Sequence, residues 1–280
     1  MKKLSAIFQI IRPLNVLITF CTIFVAGLIC SKGEFLCMKI LMAAFSGALA
    51  ASAGNIINDI IDVEIDRINR PERVLPSGKL SKREACILYW AFNVSGFVLA
   101  GLISIPALVI YIVSVAAIFL YSKFLKGIPL VGNFVVGILT AIAFIFGGVS
   151  AGKWSLTLMP AFFALMVNFI REIIKDMEDI EGDSRNGIVT FPQKYGFKNS
   201  IRLTGFLTIL LMSFTLIPYL LHIYRIEYFI LVMNGVNLLL ILFLKLLFET
   251  EGGHLRLKLM SNLLKLTMVL GLVAIYLGNK

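Results

Sequence analysis

The chain has 280 residues, 59% of them hydrophobic and only 15% charged, with a mean hydropathy of +0.93. A soluble domain carries about 25% charged residues, so the composition excludes a soluble globular protein. The apolar runs show no period-two alternation, which argues against a β-barrel. A net charge of +10 would suggest nucleic acid in a soluble protein, but here the basic residues flank apolar runs and read as topology signals, with no nucleic-acid partner.

About 20 apolar residues cross a hydrocarbon core. On that basis the pattern predicts nine spans, at 14–31, 38–57, 84–103, 106–121, 129–149, 155–174, 200–221, 227–247 and 258–278. The N-terminal stretch MKKLSAIFQIIRPLN is basic, and no small-residue cleavage site follows a short apolar core, so the first span is expected to be retained. Spans three and four are joined by a tight Ser104-Ile105-Pro106 turn, as in a helical hairpin. The long connections 58–83, 122–128, 175–199 and 248–257 fall on one side. They carry the dense basic residues, among them Arg67, Arg70, Arg73, Lys123, Lys126, Lys175 and Lys194. The positive-inside rule then puts the N-terminus and these loops in the cytoplasm and the C-terminus outside. The expectation is an all-α, polytopic protein of the cell membrane. It is one transmembrane domain over 1–280, with nine helices around a cavity whose polar end faces the cytoplasm. No Cys/His metal spacing occurs among the four cysteines and two histidines.

The densest polar chemistry is NDIIDVEID, which opens the first long connection. Asp59, Asp62 and Asp66 follow the spacing i, i+3, i+7, which puts three carboxylates on one face of a helix. Asn55 and Asn58 extend that face. The segment DMEDIEGD repeats the spacing with Asp176, Asp179 and Asp183. A solvated helix end explains one such cluster, but two with identical spacing on the same side call for another account. Acids at a membrane boundary are costly unless paired with each other, a cation or water. Two acid clusters beside basic residues suit a divalent metal–diphosphate site, because Mg²⁺ takes carboxylate oxygens and bridges them to substrate phosphates.

Arg70 and Arg73 follow the first cluster on a loop stiffened by Pro71 and Pro76, and a guanidinium offers planar bidentate donors to phosphate. Tyr121 and Lys126 stand at the mouth of the fourth span, with Lys123 between them. Arg12, Asn15 and Asn133 lie near span starts, and they serve either the site or helix packing. Arg171 and Glu172 lie one turn before the second cluster and are placed to pair. A divalent-cation transporter also keeps acids near the membrane. It should hold them at the midplane on broken helices, whereas here they sit at span ends beside Arg and Lys.

At these residues the chain resembles the UbiA superfamily of intramembrane prenyltransferases. The first family motif, NDxxDxxxD, is present as Asn58, Asp59, Asp62 and Asp66. The second, DxxxD, matches Asp179 and Asp183, and Asp176 completes its longer form. The Tyr-xxxx-Lys element is similar to Tyr121 and Lys126. The resemblance covers almost the whole chain. The strings at 69–85 and 171–183 are most similar to the archaeal ether-lipid branch.

The resemblance implies an Mg²⁺-dependent prenyltransferase. In the ether-lipid branch a geranylgeranyl group passes from its diphosphate to the sn-2 hydroxyl of 3-O-geranylgeranylglyceryl 1-phosphate. The rival within the class is an aromatic, quinone-precursor acceptor. Asp59, Asp62, Asp66, Asp176, Asp179 and Asp183 are the implied metal ligands, with Asn58 beside them and Tyr121 near the allylic carbon. Asn15, Arg70, Arg73, Lys123, Lys126, Arg171 and Lys175 are the expected substrate-binding residues. The expected partners are an isoprenoid diphosphate, a lipid phosphate and membrane lipids, with no obligatory protein partner. The 66–83 loop is expected to order over bound diphosphate.

Overall fold

The computed structural model describes residues 2–31, 38–180, 184, 188–249 and 254–279. All regular structure among them is helical. Among the described residues nine helices are long and apolar enough to cross a membrane: Pro13–Ser31, Met38–Ile61, Lys82–Ile103, Ile105–Leu125, Val131–Ser150, Trp154–Glu178, Phe197–Leu220, Ile226–Phe248 and Arg256–Gly278. They coincide with the nine expected spans to within a turn or so. The protein is a multi-pass, all-helical membrane protein.

The chain forms two compact units. The first comprises Met1–Lys126 and Ile142–Leu158, the second Gly127–Ala141 and Met159–Lys280.

The first unit opens with α1 (Lys2–Ile11) and α2 (Pro13–Ser31). Arg12 separates them at φ 55°, a left-handed value. Proline disfavours αR in the residue before it, and Pro13 itself suits the first turn of the next helix. A short amphipathic helix ahead of the first span was not expected from the sequence. Ala6 and Ile10 of α1 are buried, while Leu4 and Phe8 are exposed. The central helix is α3 (Met38–Ile61), which packs against α1, α2, α5 and α6. Its small residues Ala43, Ala44, Gly47, Ala50 and Ala53 allow that close approach. After a break at Asp62 comes α4 (Val63–Asn69).

The following loop is folded rather than open. Ser77 N–H donates to Arg73 O, and Gly78 N–H to Leu75 O, with Gly78 at φ 72° where a side chain would be strained. Val74, Leu75 and Leu80 are buried with Ile10, Ile56, Ile60 and Val63. The 66–83 loop is thus anchored to the helices through buried apolar side chains. α5 (Lys82–Ile103) starts with a capping box between Ser81 and Glu84, and Lys3 of α1 reaches Glu84 Oε1 at 2.7 Å. Ser104 alone joins it to α6 (Ile105–Leu120), and its hydroxyl accepts the Ala107 N–H. A π turn, Tyr121–Leu125, extends α6.

In α7 (Val131–Ser150) the first residues belong to the second unit and the last to the first. α8 (Leu158–Glu178) buries Ile170, Ile173, Ile174 and Met177. Then follow α9 (Phe191–Tyr195), α10 (Phe197–Leu220), α11 (Ile226–Leu231), α12 (Leu238–Phe248) and α13 (His254–Gly278). A π turn, Val232–Asn237, links α11 to α12, and α13 packs along both and along that turn.

Gly137 lets the first half of α7 approach α8, since a Cβ there would lie 3.0 Å from the Leu165 carbonyl oxygen. That approach sets Asn133, one turn earlier, against Asp176 of α8. Gly137→Val should therefore cost about 1–3 kcal/mol of stability through overpacking, read as a lower thermal midpoint in detergent. Gly137→Ala should fall between it and wild type, and equal midpoints for all three would refute the close approach.

Candidate active site

The first acid motif spans the break between α3 and α4. Asp62 N–H still donates to Asn58 O at 2.9 Å and Asp66 N–H to Asp62 O at 2.8 Å, so the helical course continues through it. Residues seven apart return to within roughly 20° of the same face. Asp59 and Asp66 therefore point one way, and Asp62 is turned off to the side.

The cations follow that division. Arg73 Nη1 lies 2.6 Å from Asp66 Oδ2 and 3.7 Å from Asp59 Oδ1, so one nitrogen serves both carboxylates. Arg12 Nη2 closes on Asp59 Oδ1 at 2.5 Å. Asn55, one turn before Asp59, donates from Nδ2 to the Ile11 carbonyl at 2.7 Å and pins the α1–α2 joint from which Arg12 projects. On the other side Lys126 Nζ reaches Asp62 Oδ2 at 2.6 Å. The π turn places it there: Lys126 N–H donates to Tyr121 O, an i→i+5 bond. The Asp59 and Asp66 side chains are only 7% and 8% exposed, so their charges are held by these partners rather than by water.

Asn58 Oδ1 is buried, with no hydrogen-bond partner among the described residues. An orphaned hard oxygen beside carboxylates fits a cation such as Mg²⁺. No group of three or more His, Cys, Asp or Glu side chains among the described residues is arranged to hold a metal by itself. Mg²⁺ is ordinarily held by one or two carboxylates plus substrate phosphates, so an all-protein cage is not needed.

In the second unit Asp176 Oδ2 accepts from Asn133 Nδ2 at 2.7 Å. Asp179 is exposed, and Asp183 lies outside the described residues. Arg171 Nη1 and Lys175 Nζ both lie 3.0 Å from Glu172 Oε1. The expected Arg171–Glu172 pair is present, and Lys175 joins it.

Of the other expected residues, Arg70 donates its backbone N–H to Asp66 O at 2.9 Å. Arg70 and Asn15 are exposed, and the Asn15 backbone bonds to Arg12 and Thr19. Lys123 is exposed and lies over the Phe119 and Phe124 rings, 5.8 and 5.0 Å from their centroids. Tyr121 is half-buried. One residue was undervalued by sequence reasoning. Arg12 read equally well as helix packing, and only the folded joint brings it to Asp59.

Membrane helices whose Asp59, Asp62 and Asp66 carboxylates meet arginine or lysine suited to phosphate fit one class of protein, the intramembrane prenyltransferases. The chain belongs to the UbiA prenyltransferase family, whose model matches residues 19–273. It is 36% identical over 276 residues to digeranylgeranylglyceryl phosphate synthase of Methanococcus aeolicus, covering 96% of this chain and 98% of the relative. It is 37% identical over 279 residues to the synthase of that name from Methanocaldococcus jannaschii, covering 99% and 97%. A solved structure concerning digeranylgeranylglyceryl phosphate synthase in membranes superposes with a TM-score of 0.85 at 36% identity, covering 99% of each chain. A UbiA homologue from Archaeoglobus fulgidus bound to GPP and Mg²⁺ shares the fold, with a TM-score of 0.70 at 16% identity over 96% of this chain and 99% of that one.

Arg73 is the hinge of the first network. Arg73→Met should strand Asp66 and weaken the screening of Asp59, at a cost of about 3 kcal/mol. Adding Asp66→Leu should restore part of that loss, as an apolar pair replaces a lone buried charge. Thermal midpoints of the single and double variants in detergent check this; a double variant less stable than the single would refute it.

Proposed function

We propose that the protein transfers a geranylgeranyl group from geranylgeranyl diphosphate to the sn-2 hydroxyl of 3-O-geranylgeranylglyceryl 1-phosphate, forming the second ether bond of an archaeal-type lipid. The observation that carries this reading is the near-full-length similarity to relatives named digeranylgeranylglyceryl phosphate synthase. The pairing of Asp59, Asp62 and Asp66 with Arg12, Arg73 and Lys126 supports it from the side of the chemistry.

Residues 1–280 act as one prenyltransferase domain. Its acid motifs and N-terminus lie on the cytoplasmic side, as the basic loops favour. Asp59, Asp62, Asp66, Asp176, Asp179 and Asp183 are the residues that would hold Mg²⁺, with the Asn58 carbonyl oxygen beside them. When bound, Mg²⁺ neutralises the charge that builds on departing pyrophosphate. Arg73, Lys126 and Arg12, now spent on carboxylates, supply charge-assisted hydrogen bonds to diphosphate oxygens, and Arg70 and Asn15 add to the donor contacts. The Tyr121 ring offers a π face to the allylic cation as the C1–O bond breaks. The sn-2 oxygen forms the new bond to C1, the electron pair of the broken bond leaves with pyrophosphate, and a site carboxylate takes the hydroxyl proton. Arg171, Lys175 and Lys123 are compatible with a phosphate-bearing acceptor.

A membrane assay with radiolabelled geranylgeranyl diphosphate and Mg²⁺ tests this, with geranylgeranylglyceryl phosphate and 4-hydroxybenzoate offered separately. Label should move to the glyceryl phosphate alone. Asp62→Ala and Asp179→Ala should each lower the rate by roughly 100-fold or more. EDTA should abolish transfer and added Mg²⁺ restore it. Transfer to the aromatic acid alone would keep the reaction type and overturn the acceptor.

A further inference from the structure

The ten residues of α1 present three faces. Ala6 and Ile10 are buried against Ile56, Ile60 and Val63. Ser5 and Gln9 are polar and exposed. Leu4 and Phe8 are apolar and yet 74% and 61% exposed. Residues four apart lie one above the other on a helix. Leu4 and Phe8 therefore form one stripe, and Ser5 and Gln9 form another about 100° round from it. The ends of α1 fix its level. Lys3 is paired with Glu84 in the first turn of α5. Asn55, within two turns of the end of α3, donates to the Ile11 carbonyl. Only Arg12 separates α1 from α2. Three membrane-length helices thus begin or end beside α1. A helix of about 15 Å strung between such ends runs along the membrane surface. At that level one side meets water and the other meets acyl chains.

We infer that α1 is an in-plane anchor, with Leu4 and Phe8 among the lipid chains just below the headgroups and Ser5 and Gln9 towards water. The same seat makes Phe8 a positioning residue that acts through Arg12, a step that rests on the donor-binding reading above. Arg12 stands at φ 55°. A residue other than glycine keeps such a value only when its surroundings hold it. α2 holds the joint from one side as a membrane span, and α1 holds it from the other. The Lys3–Glu84 pair is exposed and adds little to that hold. The apolar contacts of α1, with α3 on one face and lipid on another, carry it. With Phe8 out of the bilayer, α1 is free to turn, and the guanidinium of Arg12 leaves Asp59 and the place where it meets diphosphate.

The seat is tested in phosphatidylcholine vesicles with the full chain, Trp90 and Trp154 being replaced by phenylalanine. Fluorescence of a Phe8→Trp variant should be quenched strongly by lipid brominated near the headgroup and less by lipid brominated near the chain end. A Gln9→Trp variant should be quenched by neither. Equal quenching of the two variants, or of neither, would overturn the seat. So would Phe8→Trp emission that follows the protein-to-lipid ratio, since that marks a second copy of the chain on this face. For the coupling, Phe8→Asp should raise the KM for geranylgeranyl diphosphate about fivefold or more. The acceptor KM should stay within about twofold, and Phe8→Leu should behave as wild type. Leu4→Asp serves as a second variant should Phe8→Asp fail to fold. An unchanged donor KM, or equal rises for both substrates, would overturn the coupling. Wild-type enzyme that transfers no geranylgeranyl group would remove the function and the coupling together, and the quenching contrast would still decide the seat.

Discussion

Buried carboxylates in a membrane protein demand counter-charges, and the first unit is built to supply them. Asp59 and Asp66 are almost wholly withdrawn from water, so each needs a cation held in place by the fold. Each cation arrives from a different piece of chain. Arg12 comes from the joint between α1 and α2, Arg73 from the turn after α4, and Lys126 from the end of α6. The helices are thereby tied together at one polar spot, and the apolar packing of α3 against its neighbours does the rest. The site carries its own counter-ions. A metal–diphosphate brings cations for the acids and anions for the bases, so it can exchange with them and leave few charges stranded.

Much of this was legible in the sequence. The nine spans follow from the lengths of apolar runs, because a bilayer fixes how many residues a crossing helix needs. The acid spacing predicted a shared helical face, and Asp59 and Asp66 do share a cation. Asp62 is where that prediction ran short. The helical course bends there, and the same spacing that groups the outer two acids leaves the middle one turned towards Lys126. No periodicity count shows which carboxylate meets which cation, because the partners come from loops whose course is set by tertiary packing.

The cations were harder to rank. Arg70 and Arg73 looked equivalent, three residues apart on one loop. The buried Val74 and Leu75 orient the turn so that Arg73 faces inward and Arg70 outward. Arg12 gained its role from a left-handed residue ahead of a proline, a feature visible in the dipeptide but not in its consequence.

The π turn at the end of α6 has a consequence for how this chain can vary. Such a turn is a single-residue insertion absorbed into a helix. Remove one residue between Tyr121 and Leu125, and the helix would close into ordinary turns while Lys126 rotated by about 100°, away from Asp62. The Tyr–Lys interval is thus a mechanical spacer. It tolerates changes of side chain within it, as the outward Lys123 and Phe124 illustrate, but it admits no change in length.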